Sequence, residues 1–270
     1  MPEGPSIVIL RDQCQQFVGR KVRRASGNSK LIDIQRMAGK KVTAILSWGK
    51  HFLIRFPTFS LRVHFMLFGS YRINERRESS PRLSLEFVNG ELNLYACSVR
   101  FIEEPLEEVY DWNSDVLSPD WDPAAARRKL VAHPDMLVCD ALLDQSIFSG
   151  VGNIIKNEVL FRIRVHPGSR IGALPARKLG ELIREARQYS FDFLEWKKAF
   201  VLRKHWLVHN KGTCPRCLIP LQRRQMGKHR RRTFYCDNCQ VLWDEVAGVE
   251  KKASRARKND STPDREGARR

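Results

Sequence analysis

In the first part of the chain, the spacing of the apolar residues changes from the period of a helix to that of a strand. A helical spacing joins Ile7, Leu10, Cys14, Phe17 and Val18. Pro5 suits the first turn of this helix, and Gly19 suits its C-terminal stop. Strand-like patterns follow at Lys41–Leu46, Phe52–Phe56, Leu61–Phe65, Leu83–Val88 and Glu91–Tyr95. The last two flank Asn89-Gly90, a strong hairpin signal. The pattern predicts a β-sandwich with a flanking helix over residues 1–112.

The second part of the chain has a mainly helical pattern. A linker containing Pro, Ser and Asp occupies residues 113–122. Helical spacing then covers Ala124–Ala132, Met136–Gln145, Ile154–Arg164 and Pro175–Lys198. This predicts a helical domain over residues 123–210 and a cysteine-containing unit over 211–243. Residues 250–270 are basic with almost no apolar positions, so we expect a disordered tail. The fold class is α+β with several domains.

Charge and cysteine usage narrow the possible classes of protein. Lys and Arg total 48 against 30 Asp and Glu, a net charge of +18, which favours a polyanionic partner such as nucleic acid. No apolar run approaches the roughly 20 residues of a membrane span, and the N-terminus lacks the pattern of a secretory signal. Four of the seven cysteines form two C-x-x-C pairs, which indicates a reducing compartment and a metal. We therefore expect a cytoplasmic protein that does not contact membranes.

The paired cysteines have the spacing of a four-cysteine zinc ribbon. Eighteen residues separate Cys214-Pro-Arg-Cys217 from Cys236-Asp-Asn-Cys239. Four thiolates fill a tetrahedral coordination sphere, so one structural Zn²⁺ is expected. The alternative, four unrelated buried cysteines, is disfavoured by this spacing. The intervening hairpin carries six cations and no acid over residues 222–232, which favours contact with phosphates.

The N-terminal residues carry candidate chemistry. Once Met1 is removed, Pro2 has a secondary amine that can attack the C1′ atom of a deoxyribose and form an iminium ion. A free α-amine has a pKa of roughly 8, so a useful fraction is unprotonated near neutral pH. The adjacent Glu3 can donate or accept protons. The alternative interpretation is that a proline at the second position has no role beyond allowing Met1 to be removed.

With these residues and several later motifs, the chain resembles the formamidopyrimidine-DNA glycosylase/endonuclease VIII family of base-excision repair enzymes. The matching pieces, in order, are Pro2-Glu3-Gly4-Pro5, Gly49-Lys50, His64-Phe-Met-Leu-Phe-Gly69, Gly150-Val-Gly-Asn153 and the ribbon ending Arg231-Arg-Thr-Phe-Tyr-Cys236. The resemblance covers residues 1 to about 242. It implies a helix-two-turn-helix within the helical domain.

The resemblance also implies residue roles. Pro2 is the Schiff-base nucleophile, Glu3 the proton donor, and Lys50 a participant in β-elimination. Asn153 binds backbone phosphate, in agreement with the positive end of its helix. Arg231 holds the phosphate beside the lesion and supports δ-elimination. Taken alone, Lys50 is better explained as a surface lysine, and the turn before Asn153 is commonly just a helix start; both gain weight only together with the other motifs.

An enzyme that acts on a base inside a duplex must extrude it, and side chains then fill the space left in the stack. These side chains, called the wedge, distinguish the branches of the family. Together with His64, the apolar residues Met66, Leu67 and Phe68 are expected to contact DNA, although a core position at a strand end is a serious alternative. In the purine-directed branch an Arg in a second loop contributes to the wedge, and Val99 stands at the corresponding position here. Only thirteen residues, Val201–Thr213, separate the helix that ends near Phe200 from Cys214. Both features favour the endonuclease VIII branch and oxidised pyrimidines.

The sequence departs from the family pattern at two places, position 6 and residues 113–115. Ser6 replaces the usual Glu, which puts part of the proton transfer in doubt, and Asn113-Ser114-Asp115 replaces a Gly-Pro-Asp, which we expect to matter little. The function expected is a bifunctional DNA glycosylase/AP lyase, a nucleoid-associated monomer acting on double-stranded DNA with oxidised bases or abasic sites. The alternatives are a glycosylase directed at 8-oxoguanine and formamidopyrimidine, and a non-catalytic zinc-ribbon DNA-binding protein.

Overall fold

A computed structural model describes residues 2–245, so the predicted tail over 250–270 lies outside the described residues. The helices are α1 (Gly4–Cys14), α2 (Leu106–Val109), α3 (Pro123–Val131), α4 (Val138–Ala141), α5 (Asn153–Arg162) and α6 (Ala176–Lys198). The strands are β1 (Arg24–Ser26), β2 (Ala44–Trp48), β3 (His51–Arg55), β4 (Ser60–Ile73), β5 (Leu83–Phe87), β6 (Gly90–Ile102), β7 (Gln222–Met226) and β8 (Arg231–Tyr235).

The N-terminal domain is built on one antiparallel sheet in the order β1-β5-β6-β4-β3-β2. Its central strands β4 and β6 are 14 and 13 residues long, much longer than the apolar pattern predicted. Buried side chains from both halves of the sheet and from α1 share one core. The predicted β-sandwich with a flanking helix is confirmed, and the predicted hairpin forms where Phe87 pairs with Gly90.

The helical domain has its own core, formed by α3 to α6 and the linker residues Val116 and Trp121. The helix predicted over Met136–Gln145 is wrong in extent, because α4 covers only Val138–Ala141. The backbone N–H of Val138 donates to the Ser169 carbonyl, which ties the segment to a neighbouring loop before the helix starts. Beyond α4, the Asp144 carboxylate accepts from the Ser146 N–H and forms a turn. Apolar spacing alone did not reveal these turns.

The cysteine-containing unit is a two-stranded hairpin, β7 and β8, with a small core around Phe161, Val208 and Phe234. Its tip is fixed to the helical domain, because the Asp140 carboxylate of α4 accepts from the Lys228 N–H at 2.9 and 3.0 Å. Among residues 2–245, no helix combines the length and the apolar character needed to cross a membrane.

Candidate functional site

Glu3 joins the N-terminus to the helical domain. It precedes α1, and its carboxylate accepts from the N–H groups of Ile154 (2.7 Å) and Ile155 (3.3 Å) in the first turn of α5. Free N–H groups and the helix dipole make this turn a favourable place for an anion. The side chain is buried, and burial raises the pKa of Glu3, against the opposing effects of Lys50 and the two amides. A carboxyl in this state retains its proton more readily than an exposed glutamate.

Glycines allow the two domains to meet this closely. The Gly4 N–H donates to the Gly150 carbonyl at 2.9 Å. A Cβ atom on Gly152 would lie 2.3 Å from the Glu3 Cδ atom, a distance that no side chain tolerates. Gly49, at φ +52°, faces Ser149 across the same junction. The glycine-rich turn before Asn153 is therefore required by the approach of Glu3.

Lys50 lies in the turn between β2 and β3. The turn is held by Asp115, whose Oδ2 atom accepts from the Gly49 N–H at 2.8 Å. Burial lowers the pKa of Lys50 to about 8, an effect that Glu3 opposes and Arg231 reinforces. Lys50 therefore has a larger unprotonated fraction near neutral pH than an exposed lysine.

Asp115 is a site residue that sequence reasoning missed. It is buried in the linker, and its Oδ1 atom also accepts from the Leu117 N–H at 2.9 Å. Burial raises its pKa. The only signal in the sequence was its place in the Asn113-Ser114-Asp115 run. The structure shows that this run holds the Lys50 turn against the helical domain, so the expectation that it matters little applies at most to Asn113 and Ser114.

Arg231 begins β8 and completes the group of charged residues at the junction. Its charge lowers the pKa of Lys50, which places both cations in one electrostatic environment with Glu3. Glu3, Lys50 and Arg231 come from three separate parts of the chain. Of the sequence-predicted candidates for catalysis, Glu3, Lys50 and Arg231 thus lie near enough for their charges to interact, and Pro2 precedes Glu3 in the chain.

Met66, Leu67 and Phe68 form an exposed loop. Pairing between β4 and β6 shifts register between Phe65 and Ser70, which leaves residues 66–69 unpaired opposite Ala96. Met66, Leu67 and Phe68 are 55%, 59% and 82% exposed. These values are incompatible with the alternative that the three residues belong to the core. An apolar loop of this kind, which we call the wedge loop (residues 66–69), is available for contact with a partner.

Val99 gives no information on the branch of the family. Val99 is fully buried in β6 and pairs with Val63 in β4. Because β6 runs without a break from Gly90 to Ile102, position 99 lies in a strand and not in a second loop. Its identity therefore says nothing about the composition of the wedge.

His64 lies in β4 directly before the wedge loop. Its ring centroid is 5.2 Å from that of His51 in an edge-on arrangement. Burial lowers the pKa of His64, and nearby Lys50 and Arg62 add to the effect. The buried Nδ1 atom has no hydrogen-bond partner among the described residues. His64 therefore presents a neutral ring next to Lys50.

A cleft of about 1120 Å³ opens beside Pro2. Ser6 of α1, Tyr71 of β4 and Phe193 of α6 line it, together with the segment 200–204 that follows α6. Phe200 is 96% exposed at its rim and has a φ of +60°, an unusual combination for an aromatic residue. An open space lined by both polar and apolar residues thus lies next to the N-terminal residues.

Asn153 is the first residue of α5. Its Nδ2 atom donates to the Arg232 carbonyl at 2.8 Å, and its buried Oδ1 atom has no partner within residues 2–245. The side chain therefore fixes β8 against α5. The free N–H groups at the start of α5 are already used in part by Glu3.

Cys214, Cys217, Cys236 and Cys239 form one cluster. Their sulfur atoms all lie within 4.8 Å of one another, and the distances between Cys217 and Cys236 and between Cys214 and Cys239 are 3.4 and 3.7 Å. Four sulfurs at 2.3 Å from a tetrahedral zinc would be about 3.8 Å apart. The cluster therefore fits a metal ion. Cys14, Cys97 and Cys139 are buried elsewhere, as expected of core residues.

Comparison with known proteins gives the family. A sequence model of the formamidopyrimidine-DNA glycosylase N-terminal domain matches residues 1–102, and a model of the formamidopyrimidine-DNA glycosylase H2TH domain matches residues 114–191. The chain belongs to the formamidopyrimidine-DNA glycosylase family. The resemblance read from the sequence motifs is therefore confirmed, together with the helix-two-turn-helix that it implied.

Similar proteins carry endonuclease names. Endonuclease 8-like 3 of Xenopus laevis is 29% identical over 221 residues, which cover 77% of this chain and 36% of that protein. Endonuclease 8-like 2 of Bos taurus is 34% identical over 197 residues, 67% of this chain and 58% of the relative. A Mycolicibacterium smegmatis protein named DNA-(apurinic or apyrimidinic site) lyase Nei2 is 28% identical over 256 residues, 89% and 99% of the two chains. The chain spans about a third of the length of the Endonuclease 8-like 3 relatives.

Solved structures share the fold. A viral DNA glycosylase superposes with a TM-score of 0.77 at 18% identity, covering 88% of this chain and 100% of that one. The Lactococcus lactis formamidopyrimidine-DNA glycosylase, solved with DNA containing an abasic site, gives 0.77 at 21% identity, covering 88% and 99%.

Proposed function

We propose that the chain is a bifunctional DNA glycosylase/AP lyase of base-excision repair. The observation that carries this proposal is the position of Pro2 on the wall of the cleft, next to a buried Glu3 with a raised pKa. Glu3 also caps α5, but a protein that only bound DNA would not need Pro2, Glu3 and Lys50 close together. The names of the relatives from Xenopus laevis and Mycolicibacterium smegmatis support the same activity.

In the proposed reaction, the Pro2 nitrogen bonds to C1′ of the damaged nucleotide while the bond between C1′ and the base breaks. Glu3 donates a proton to the departing base. The sugar ring then opens: the C1′–O4′ bond breaks, O4′ takes up the proton that the Pro2 nitrogen loses, and the resulting iminium between Pro2 and C1′ makes the C2′ proton acidic. Loss of that proton, in which Lys50 takes part, expels the 3′ phosphate by β-elimination. A second elimination releases the 5′ phosphate, and water then frees Pro2.

The four-cysteine cluster is proposed to hold one structural Zn²⁺. Four thiolates leave no position for water, so the metal would fix the hairpin and would take no part in the chemical step. The residue that benefits is Arg231, the first residue of β8, whose charge acts on Lys50. The expected partner is double-stranded DNA carrying oxidised bases or abasic sites, bound by a monomer.

Oxidised pyrimidines are the proposed substrates. The short segment Val201–Thr213 supports this preference, and the exposed wedge loop supplies the apolar residues that would fill the emptied site. A single-turnover comparison of duplexes containing thymine glycol, 5-hydroxycytosine or 8-oxoguanine opposite cytosine tests it. We expect faster removal of the two pyrimidines. A clear preference for 8-oxoguanine would assign the chain to the purine-directed branch.

The proposed activity itself is tested by borohydride trapping. The native protein is incubated with an abasic-site duplex in the presence of borohydride, and a covalent protein–DNA adduct is sought on a denaturing gel. An adduct is the expected result. Tight binding without any adduct would favour the alternative of a non-catalytic zinc-ribbon DNA-binding protein.

A further inference from the structure

Lys156 is a fully buried lysine that the proposed reaction does not use. It lies in the first half of α5, and its side chain is 0% exposed. The Nζ atom donates to the Thr233 Oγ1 atom at 2.7 Å. None of the ion pairs within residues 2–245 involves Lys156, and Asp140, whose charge acts on it, accepts from the Lys228 N–H. Its position among the apolar residues of α5 is a signal that sequence reasoning overlooked.

A buried cation without an acidic partner destabilises a folded protein. Burial lowers the pKa of Lys156 to about 8, and Arg231 adds to the effect while Cys139, Asp140 and Glu3 oppose it. A pKa of about 8 still leaves most of the lysine protonated at neutral pH. The free protein therefore carries a buried positive charge that a neutral residue of the same size would avoid.

The contacts of Lys156 lead to Arg231. The Thr233 hydroxyl that accepts from Lys156 donates in turn to the Arg231 carbonyl at 2.9 Å. Asn153 holds the next carbonyl, that of Arg232, and the Asn157 Oδ1 atom accepts from the Phe234 N–H at 3.4 Å. Residues 153, 156 and 157 of α5 thus fix three successive residues of β8.

The same helix holds Glu3 through the N–H groups of Ile154 and Ile155. One helical turn therefore sets the positions of a proposed proton donor and of a proposed phosphate ligand, which are far apart in sequence. We propose that Lys156 is a positioning residue for DNA binding: through Thr233 it fixes Arg231, and its buried charge is balanced by the DNA phosphate that Arg231 receives.

This inference rests on the proposed function in one respect: it assumes that a DNA phosphate binds at Arg231. It explains why the chain keeps an unpaired buried charge, since the binding of an anion compensates for the cost. A purely structural lysine would give the opposite pattern, because its removal would destabilise the free protein without changing the electrostatics of DNA binding.

The test compares Lys156→Met with Lys178→Met in the full chain. Lys178 of α6 is a matched control, because it is also largely buried but pairs with Glu181 at 2.6 Å. Binding to a duplex containing a tetrahydrofuran abasic analogue, which the enzyme cannot cleave, is measured by fluorescence anisotropy over a range of salt concentrations. Unfolding in urea is measured without DNA.

We expect Lys156→Met to weaken binding about tenfold and to make the slope of log affinity against log salt shallower by about one. Its unfolding midpoint without DNA should not decrease. Lys178→Met should keep the wild-type affinity and salt slope and should unfold more easily. Wild-type affinity and slope in Lys156→Met would overturn the proposal, and so would a lower unfolding midpoint with an unchanged slope.

Thr233→Val and Thr233→Ser test the hydroxyl contact separately. Serine keeps the hydroxyl and should bind DNA like the wild type, whereas valine should bind about threefold to tenfold more weakly. Equal affinities of the two variants would contradict the role of Thr233. Because these assays need no chemical step, failure of borohydride trapping with a normal Lys156 effect would reject only the proposed catalysis.

Discussion

At the scale of single residues, Glu3 departs most clearly from the behaviour of its residue type. Two amides and Lys50 favour its ionised form, yet the effect of burial is larger and the pKa of Glu3 is raised. The motif predicted that Glu3 would act on protons. It could not predict the burial that makes this possible, because the wall around Glu3 comes from α5, about 150 residues later in the chain.

The raised pKa of Glu3 has a consequence for stability. The folded protein holds this proton more tightly than the unfolded chain, so the contribution of Glu3 to stability is complete below about pH 4.5 and declines as the pH rises through the raised pKa. Glu3→Gln should remove this decline. The free energy of unfolding in urea, measured between pH 4 and 8 for both proteins, tests the prediction. Identical pH dependence in the two proteins would contradict it.

Gly152→Ala tests the fit around Glu3. The added methyl group would collide with the Glu3 side chain, so either Glu3 or the start of α5 must move. We expect a loss of about 1–3 kcal/mol in stability and a roughly tenfold to hundredfold slower base excision in single-turnover assays.

The control for this variant is Gly180→Ala in α6, where an added Cβ meets nothing within 4 Å. Alanine should stabilise this helix by up to about 1 kcal/mol and leave excision unchanged. If Gly152→Ala excises bases at the wild-type rate, Glu3 does not require its present position.

At the scale of structural elements, alternation of apolar residues predicted the strands because one face of each strand is buried. The same pattern could not show that β4 continues past the wedge loop to Ile73, since residues 66–69 interrupt the alternation. The helix predicted over Met136–Gln145 failed for the opposite reason. Its apolar residues are buried, but the Val138 N–H donates to the Ser169 carbonyl and the Asp144 carboxylate accepts from the Ser146 N–H, so the helix is confined to the residues between them.

The wedge loop gives a prediction at this scale. Leu67 is 59% exposed, so Leu67→Ala should leave stability unchanged. Excision of a well-paired lesion should slow by an amount near the lower end of roughly 1–3 kcal/mol, the range for contacts that replace base stacking. The deficit should shrink on single-stranded or abasic substrates, and the salt dependence of binding should not change. Leu218→Ala, at an exposed position of the ribbon (78%), is the control. Equal deficits on paired and single-stranded lesions would contradict the role of the loop.

The cysteine cluster gives a second prediction for an element. Cys236→Ser should lose the metal, unfold the β7–β8 hairpin and remove most DNA affinity, because Arg231 and the contacts of α5 depend on β8. Elemental analysis should find one zinc per wild-type chain. Cys97→Ala, in the core of the N-terminal domain, should keep that zinc. Active protein without zinc would contradict the proposal.

At the scale of the whole molecule, the proposed site lies where the residues of the N-terminal sheet meet those of the helical domain. The N-terminal domain contributes Pro2, Lys50 and the wedge loop, and the helical domain contributes α5 and the far wall of the cleft. Sequence motifs identified most of these residues, because each motif is a short local pattern. The sequence could not reveal Asp115 and Lys156, whose roles depend on contacts with segments distant in the chain.

Two amines compete for the role of nucleophile in this arrangement. The Pro2 nitrogen becomes a free secondary amine only after removal of Met1, whereas the Lys50 amine, with a pKa lowered to about 8, is present whether or not Met1 is removed. Mapping the borohydride-trapped adduct by proteolysis and mass spectrometry distinguishes them. We predict that the sugar fragment is bonded to the nitrogen of Pro2, at the N-terminus of the first peptide. An adduct on Lys50, or on any other lysine, would contradict the mechanism proposed for this protein.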